Sequence, residues 1–326
     1  MANLGENYRR NNTFEEVIKS LNEALYAKKF ETFPSIDTPQ TSIHIIGAPR
    51  SGTTLLSQLI LSHLDIGYIN HLIASFWLAP IYGIHLSQKL LHRQYTSNFQ
   101  SDFGRTNNIL EPHEFSYFWK KHLNYSDFLQ MTYQKDHSIN WEELRKEIYQ
   151  MVAGYQKPIV FKSFLFGFHG IEAVKHMPNC IFLLIKRDIY QNALSILRLR
   201  ENRFGDKDYW ASIKPHQYHD LKNETIYRQI MGQIYFLNYE YEKQLSGIKS
   251  QNKLSLSYNE LCLEPESVLN KIQSKITNFT NVEFLKDTAL AFTPRKSNIA
   301  EDVLYEFKKA EDWLLKTYIE LTPLKC

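Results

Sequence analysis

Cysteine is scarce in this chain: three in 326 residues, Cys180, Cys262 and Cys326, with no C-x-x-C pair or other metal-ligand spacing. That argues against a disulfide framework and against a thiolate metal site. Cys180 opens an apolar strand and Cys262 lies in an apolar-flanked helix start, so both read as core residues. A sparse, odd set of thiols suits a reducing compartment, and the expected location is the cytoplasm. Long apolar runs are missing too. The longest, Leu72 to Ile84, covers about 13 residues and contains Pro80, short of the ~20 that span a bilayer. The start, MANLGENYRRNN, has no apolar core region of the kind a secretory signal carries. Net charge is only +3, too little to argue for a nucleic-acid polymer as partner. Repeats and low-complexity tracts are absent as well.

What is present is a globular composition, 43% hydrophobic and 22% charged, sized for one large α/β domain. Twelve histidines and 14% aromatics would serve an aromatic-lined pocket. Thr13-Phe14-Glu15-Glu16 opens an amphipathic helix through Val17, Ile18, Leu21 and Leu25, and Pro34 to Gln40 is a linker. Strands are expected at Ile43–Ile46, Asp65–Ile69, Lys157–Lys162, Cys180–Lys186 and Lys253–Ser257. Helices are expected from His71 through Tyr82, and over 140–155, 168–176, 189–200, 225–245 and 265–276. The alternation predicts a P-loop-like, doubly wound α/β sheet, with central parallel strands flanked by helices on both faces. The third and fourth strands, with the helix between them, read as one βαβ unit. The expected organisation is a single domain over 1–326. In it, 1–40 is an N-terminal helix and linker packed on the body, and about 87–135 is a loop and helical insertion containing a polar lid at 90–104.

The stretch that carries chemistry is Ser42 to Leu61, SIHIIGAPRSGTTLLSQLIL. A β-branched strand runs through a turn with two glycines and a proline into an apolar helix. Backbone N–H groups in such a turn, with the helix N-terminus behind them, make an anion pocket. A triphosphate loop, G-x-x-x-x-G-K-[ST], places a lysine where this chain has Thr53. Gly47, Gly52 and Thr54 keep their places, but the cation has moved to Arg50. That pattern suits one phosphate plus a second anionic group beside an arginine. An ordinary tight turn is the plainer alternative.

At these residues the chain resembles the sulfotransferases that use 3′-phosphoadenosine 5′-phosphosulfate (PAPS). GAPRSGTTL is similar to their 5′-phosphosulfate loop, and its PRSGTT form is closest to the tyrosylprotein and bacterial branches. KRDIYQNALSILR resembles their 3′-phosphate motif, an Arg after a strand with a Ser eight residues on, although Ile189 replaces the usual proline. LSLSYNELCLEPESVLNKI resembles the later strand-tyrosine segment, and AFTPRKSN the basic segment that closes over the 3′-phosphate. Together the four cover roughly residues 42 to 300. The resemblance implies PAPS as co-substrate, 3′,5′-adenosine bisphosphate as product, and no metal. Donor contacts fall to Arg50, Ser51, Gly52, Thr53, Thr54, Arg187, Ser195, Tyr258, Arg295 and Lys296. Without that context, Arg187 reads as a partner of Asp188 and Ser195 as a helix filler.

For the base, the glutamate of the tyrosylprotein branch lies 21 residues after the loop arginine, which reaches His71 here. Its alternative is a cap or surface histidine. Glu111 and Glu114, with His113 between them, are the reserve candidates, and Lys162 either reaches the transferring sulfonate or is a strand-end surface lysine. The acceptor is a small-molecule or carbohydrate hydroxyl: sugar, phenol or other alcohol. A P-loop kinase or NTPase, and a non-catalytic nucleotide-binding module, are the competing functions.

Overall fold

The computed structural model describes residues 12–91, 95–101, 106, 108–125, 139–286, 291–322 and 324. Cys326, and parts of the expected lid and insertion, lie outside them. Five strands form one parallel sheet: β1 (Ser42–Ile46), β2 (Gly67–Tyr68), β3 (Ile159–Lys162), β4 (Cys180–Lys186) and β5 (Lys253–Ser257). Their order is β2-β3-β1-β4-β5. Helices α1 (Asn12–Tyr26) and α2 (Lys29–Thr32) precede the sheet; α3 (Thr53–His63), α4 (His71–Ala74), α5 (Pro80–Leu90), α6 (Ser116–His122) and α7 (Trp141–Tyr155) lie between β1 and β3. After β3 come α8 (Gly170–His176), α9 (Ile189–Phe204), α10 (Tyr218–Leu221), α11 (Ile226–Ser246), α12 (Tyr258–Leu263), α13 (Pro265–Ile276) and α14 (Glu301–Thr317).

The central strands β1, β3 and β4 are buried on consecutive positions, as strands covered on both faces should be. Ile43 and Ile45 of β1 point to one side, with Ile181, Leu183 and Ile185, and pack under α3 and α13. Ile46, Phe161, Phe182 and Leu184 point to the other, under α6, α7, α8 and α11. A third apolar cluster joins α9, α11 and α14. Each fully buried Leu, Ile or Phe contributes about 1.5–3 kcal/mol. Among the buried polar residues, His44 of β1 is fully buried against the rings of Phe161 and Phe166 and bonded to the buried Ser42 and Ser163.

Two local expectations are corrected, the length of the second strand and the helix from His71. β3 and β4, joined through α8, are parallel with β1 between them. The order therefore reverses at the β1/β4 boundary, where a doubly wound sheet opens its ligand crevice beyond the strand C-termini. The second strand is only two residues long. The helix from His71 stops at Ala74 and a new one starts at Pro80, whose missing N–H suits the first turn. The break is held from the N-terminal helices. Asn22 donates to the Ser75 carbonyl (2.7 Å) and accepts from the Leu78 N–H (2.8 Å), while Lys29 donates to the Leu78 carbonyl (3.1 Å).

Candidate active site

The turn after β1 lies at the order reversal. Gly47 runs so close to β4 that a Cβ there would stand 2.5 Å from the Ile185 carbonyl oxygen and 2.6 Å from Ser51 Oγ. Ser51 is buried and its hydroxyl has no hydrogen-bond partner among the described residues, so a buried polar atom stands beside the Gly47 Cα. Ala48 to Ser51 close a turn through Ser51 N–H to the Ala48 carbonyl (3.2 Å). Gly52, at φ 112°, caps α3, and the buried Thr53 and Thr54 open it. Four residues of backbone thus lead into a helix N-terminus, the arrangement that favours an anion.

Arg187 follows β4, next to β1. It crosses to the same turn: one terminal nitrogen donates to the Arg50 carbonyl at 3.3 Å, and the other donates to the carbonyl of Arg295. Its guanidinium lies over the Tyr258 ring, 4.6 Å from the centroid, and burial pulls its pKa below the usual arginine value. Arg50 Nε in turn donates to Ser195 Oγ at 3.1 Å, on the second turn of α9. Tyr258, at the end of β5, accepts from the Arg295 N–H through its hydroxyl (3.4 Å), and its ring lies 2.6 Å from where a Cβ on Gly52 would stand. Five of the expected donor-site residues, Arg50, Gly52, Arg187, Ser195 and Tyr258, therefore touch one another or nearly so, and Arg295 joins through its backbone. Lys296 is exposed beside it.

Three residues the sequence reading missed complete the arrangement. Asn192 donates to the Pro49 carbonyl at 2.6 Å. Gln191 both donates to the Ser297 carbonyl (3.0 Å) and accepts its N–H (2.8 Å), and Arg198 donates to Ser297 Oγ (2.6 Å). The segment 291–300, without regular secondary structure, is thereby strapped to α9. A polar stripe at 191, 195 and 198, spaced i, i+4, i+7 on one helix face, was the available signal.

On the other side of the turn, Lys162 ends β3 buried, not at the surface. Its ammonium donates to Thr54 Oγ1 (3.0 Å) and stands 3.5 Å from a Glu114 carboxylate oxygen. His71 contacts the His113 ring edge-on (centroids 4.8 Å apart) and reaches Thr106 Oγ1 at 3.4 Å. Glu111 stands apart from this row. It is buried and accepts from Gln58 (3.0 Å) and Tyr95 (2.9 Å), a structural carboxylate that anchors Tyr95 of the expected lid. A cavity of about 310 Å³ beside Phe168 and His216, and another of about 660 Å³ beside Thr41 and Lys157, lie away from these residues.

Comparison with known proteins decides the family. The profile of the sulfotransferase family matches residues 42–277. The chain belongs to the sulfotransferase family. No match to a curated protein reaches significance. Among solved structures, sulfotransferase STF9 from Mycobacterium avium superposes with a TM-score of 0.51 at 11% identity, over 94% of this chain and 73% of that one. STF1 from Mycobacterium tuberculosis H37Rv gives 0.47 at 10% identity (94% and 82% covered), and a sulfotransferase from Alicyclobacillus acidocaldarius 0.40 at 15% (86% and 96%). This sulfotransferase is thus a transferase of sulfuryl groups on a P-loop-like α/β fold. Among the described residues, no helix is long and apolar enough to cross a membrane.

One grouping of possible metal ligands also occurs among the described residues of this sulfotransferase: His122, Glu143 and Glu147, whose ligand atoms lie within 4.8 Å of one another. Lysines already occupy it. Lys29 pairs with Glu147, and Lys121 with Glu143 at 2.7 Å. We read it as the buried anchor of α2.

Proposed function

We propose that this sulfotransferase moves the sulfuryl group of PAPS to an acceptor hydroxyl and releases 3′,5′-adenosine bisphosphate. One observation carries the reading: Arg187 and Ser195, the pair expected at the 3′-phosphate, both touch Arg50 of the turn expected at the 5′-phosphosulfate. Two anion sites so joined suit the two ends of one adenosine nucleotide. The buried Ser51 hydroxyl, with no hydrogen-bond partner among the described residues, fits the phosphosulfate end. A triphosphate with magnesium fits less well. Thr54 Oγ1, the hydroxyl that would take the metal, instead accepts from the Lys162 ammonium.

The reaction is an in-line displacement with charge on spectator oxygens. The acceptor oxygen bonds to sulfur, the sulfur–oxygen bond to the 5′-phosphate breaks, and the acceptor proton goes to a protein base. Arg50 and the N–H groups of residues 52–54 stabilise the departing phosphate, Arg50 as a permanent cation. Lys162, beside Thr54, offsets charge on the transferring sulfonate. Glu114 is the base that the geometry supports best, since its carboxylate lies one ammonium away from the turn. His71 meets His113 rather than Lys162, and we place both imidazoles in the acceptor wall.

The test is transfer of labelled sulfur from PAPS against a panel of carbohydrate, phenolic and lipid hydroxyls. Transfer that Arg50→Ala abolishes, in a protein that still folds, supports the proposal. Transfer that survives that change rejects the role of the turn.

A further inference from the structure

Arg50 has φ 69°, a left-handed conformation that a side chain disfavours by about 1–2 kcal/mol. The Ala48–Ser51 hydrogen bond, with Pro49 at the second position and positive φ at the third, makes this a type II turn. A type II turn usually has glycine or asparagine at that third position. The relaxed alternative for an arginine is type I, which differs chiefly by a flip of the central peptide, here Pro49–Arg50. In that rigid, trans plane the Pro49 carbonyl and the Arg50 N–H point opposite ways. The group that holds the carbonyl therefore chooses the turn. Asn192 is that group: 1% exposed, with its amide nitrogen 2.6 Å from the Pro49 oxygen.

We infer that Asn192 is a positioning residue that locks the Pro49–Arg50 peptide in its type II orientation, and so sets the 5′-anion site without touching the ligand. The bond holds the oxygen toward α9 and turns the Arg50 N–H away from it. It also fixes where the Arg50 side chain leaves the backbone, toward Ser195. The arrangement is specific to one end of the site. Arg187 and Ser195 are carried by β4 and α9, so their backbones keep their places whichever turn type residue 50 adopts, although both side chains also touch Arg50.

This inference rests on the donor reading above, and its test separates the two. Titration calorimetry compares 3′,5′-adenosine bisphosphate, adenosine 5′-monophosphate and adenosine 3′-monophosphate on the wild type and on Asn192→Leu, which has similar volume and no donor. We expect the bisphosphate and the 5′-monophosphate to weaken at least about fivefold, the loss of one buried hydrogen bond, and the 3′-monophosphate to stay within about twofold. A crystal structure of the variant should show Arg50 at negative φ. If Asn192→Leu does not fold, Asn192→Ala is measured in the same way. Equal loss of both monophosphates would mean that α9 has shifted as a whole, and unchanged affinities that the bond is idle; either overturns the inference. If the wild type binds the bisphosphate and the variant matches it, only the positioning role fails. A wild type that binds none of the three sinks the donor reading, and this inference with it.

Discussion

Replacing Gly52 by alanine probes the seam between the turn and the adenosine side of the site. A Cβ at residue 52 would stand 2.6 Å from Tyr258 Cδ2, whereas ordinary contact begins at 3.4 Å, so the ring must move by about 0.8 Å. The backbone adds its own cost, because φ 112° is nearly confined to glycine and a side chain there is disfavoured by about 1–3 kcal/mol. Tyr258 cannot move alone. Its ring supports the Arg187 guanidinium at 4.6 Å and its hydroxyl accepts from the Arg295 N–H. The substitution should therefore lower stability by about 2–4 kcal/mol and weaken 3′,5′-adenosine bisphosphate at least tenfold, about 1.4 kcal/mol. Gly205→Ala is the control: φ 62°, nothing among the described residues within 4 Å of the new Cβ, and a position at the far end of α9. It should cost about 1 kcal/mol of stability and leave nucleotide binding unchanged. Urea unfolding and titration calorimetry on both variants read the two effects. If Gly52→Ala bound nucleotide as well as Gly205→Ala does, the claimed coupling between the turn and Tyr258 would be refuted.

Glu114→Gln should cut turnover about 10²- to 10⁴-fold while leaving bisphosphate affinity unchanged, as single-turnover kinetics and calorimetry would report; full turnover would return the base role to His71. Arg187→Lys keeps a charge but loses the planar fork that spans the Arg50 and Arg295 carbonyls. It should weaken the bisphosphate about tenfold or more while adenosine 5′-monophosphate is little changed; equal weakening of both would refute placement at the 3′-phosphate. Burial holds His44 down to about 3 from its ordinary 6.5, so the unfolded chain binds the extra proton between those values. Its contribution to stability is complete above pH 6.5 and is lost as pH falls toward 3, about 2 kcal/mol of it by pH 5. His44→Phe should flatten that acid limb in urea unfolding measured across pH; an unchanged slope would show that this histidine is not the sensor.

How far the sequence carried the account follows from which contacts are local. The anion turn was legible because Gly47, Arg50, Gly52 and Thr54 lie within eight residues between a strand and a helix. Arg187 and Tyr258 were placed at strand ends by resemblance and by the apolar runs before them, Ser195 on the helix after Arg187, and β1 next to β4 brings them together. That adjacency was not legible: the three buried strands β1, β3 and β4 are alike in their apolar pattern and do not encode their lateral order. The break after Ala74 was missed because its cause, Asn22, lies 53 residues from Ser75. The Lys162–Glu114 pair crosses a comparable gap, and the Asn192–Pro49 bond one of 143 residues. Asparagine within an apolar helix has no local signature that separates a lock from a filler, and the turn type it governs depends on a backbone angle, not on residue identity.

The central claim is that one adenosine nucleotide with phosphates at both its 3′ and 5′ positions spans the turn and Arg187. Calorimetric titration of the wild type with 3′,5′-adenosine bisphosphate, and separately with ATP plus magnesium, tests it most directly. One bisphosphate should bind per chain, with affinity lost in both Arg50→Ala and Arg187→Ala, and the triphosphate should bind markedly more weakly. Tight magnesium-dependent ATP binding with no bisphosphate heat would contradict it.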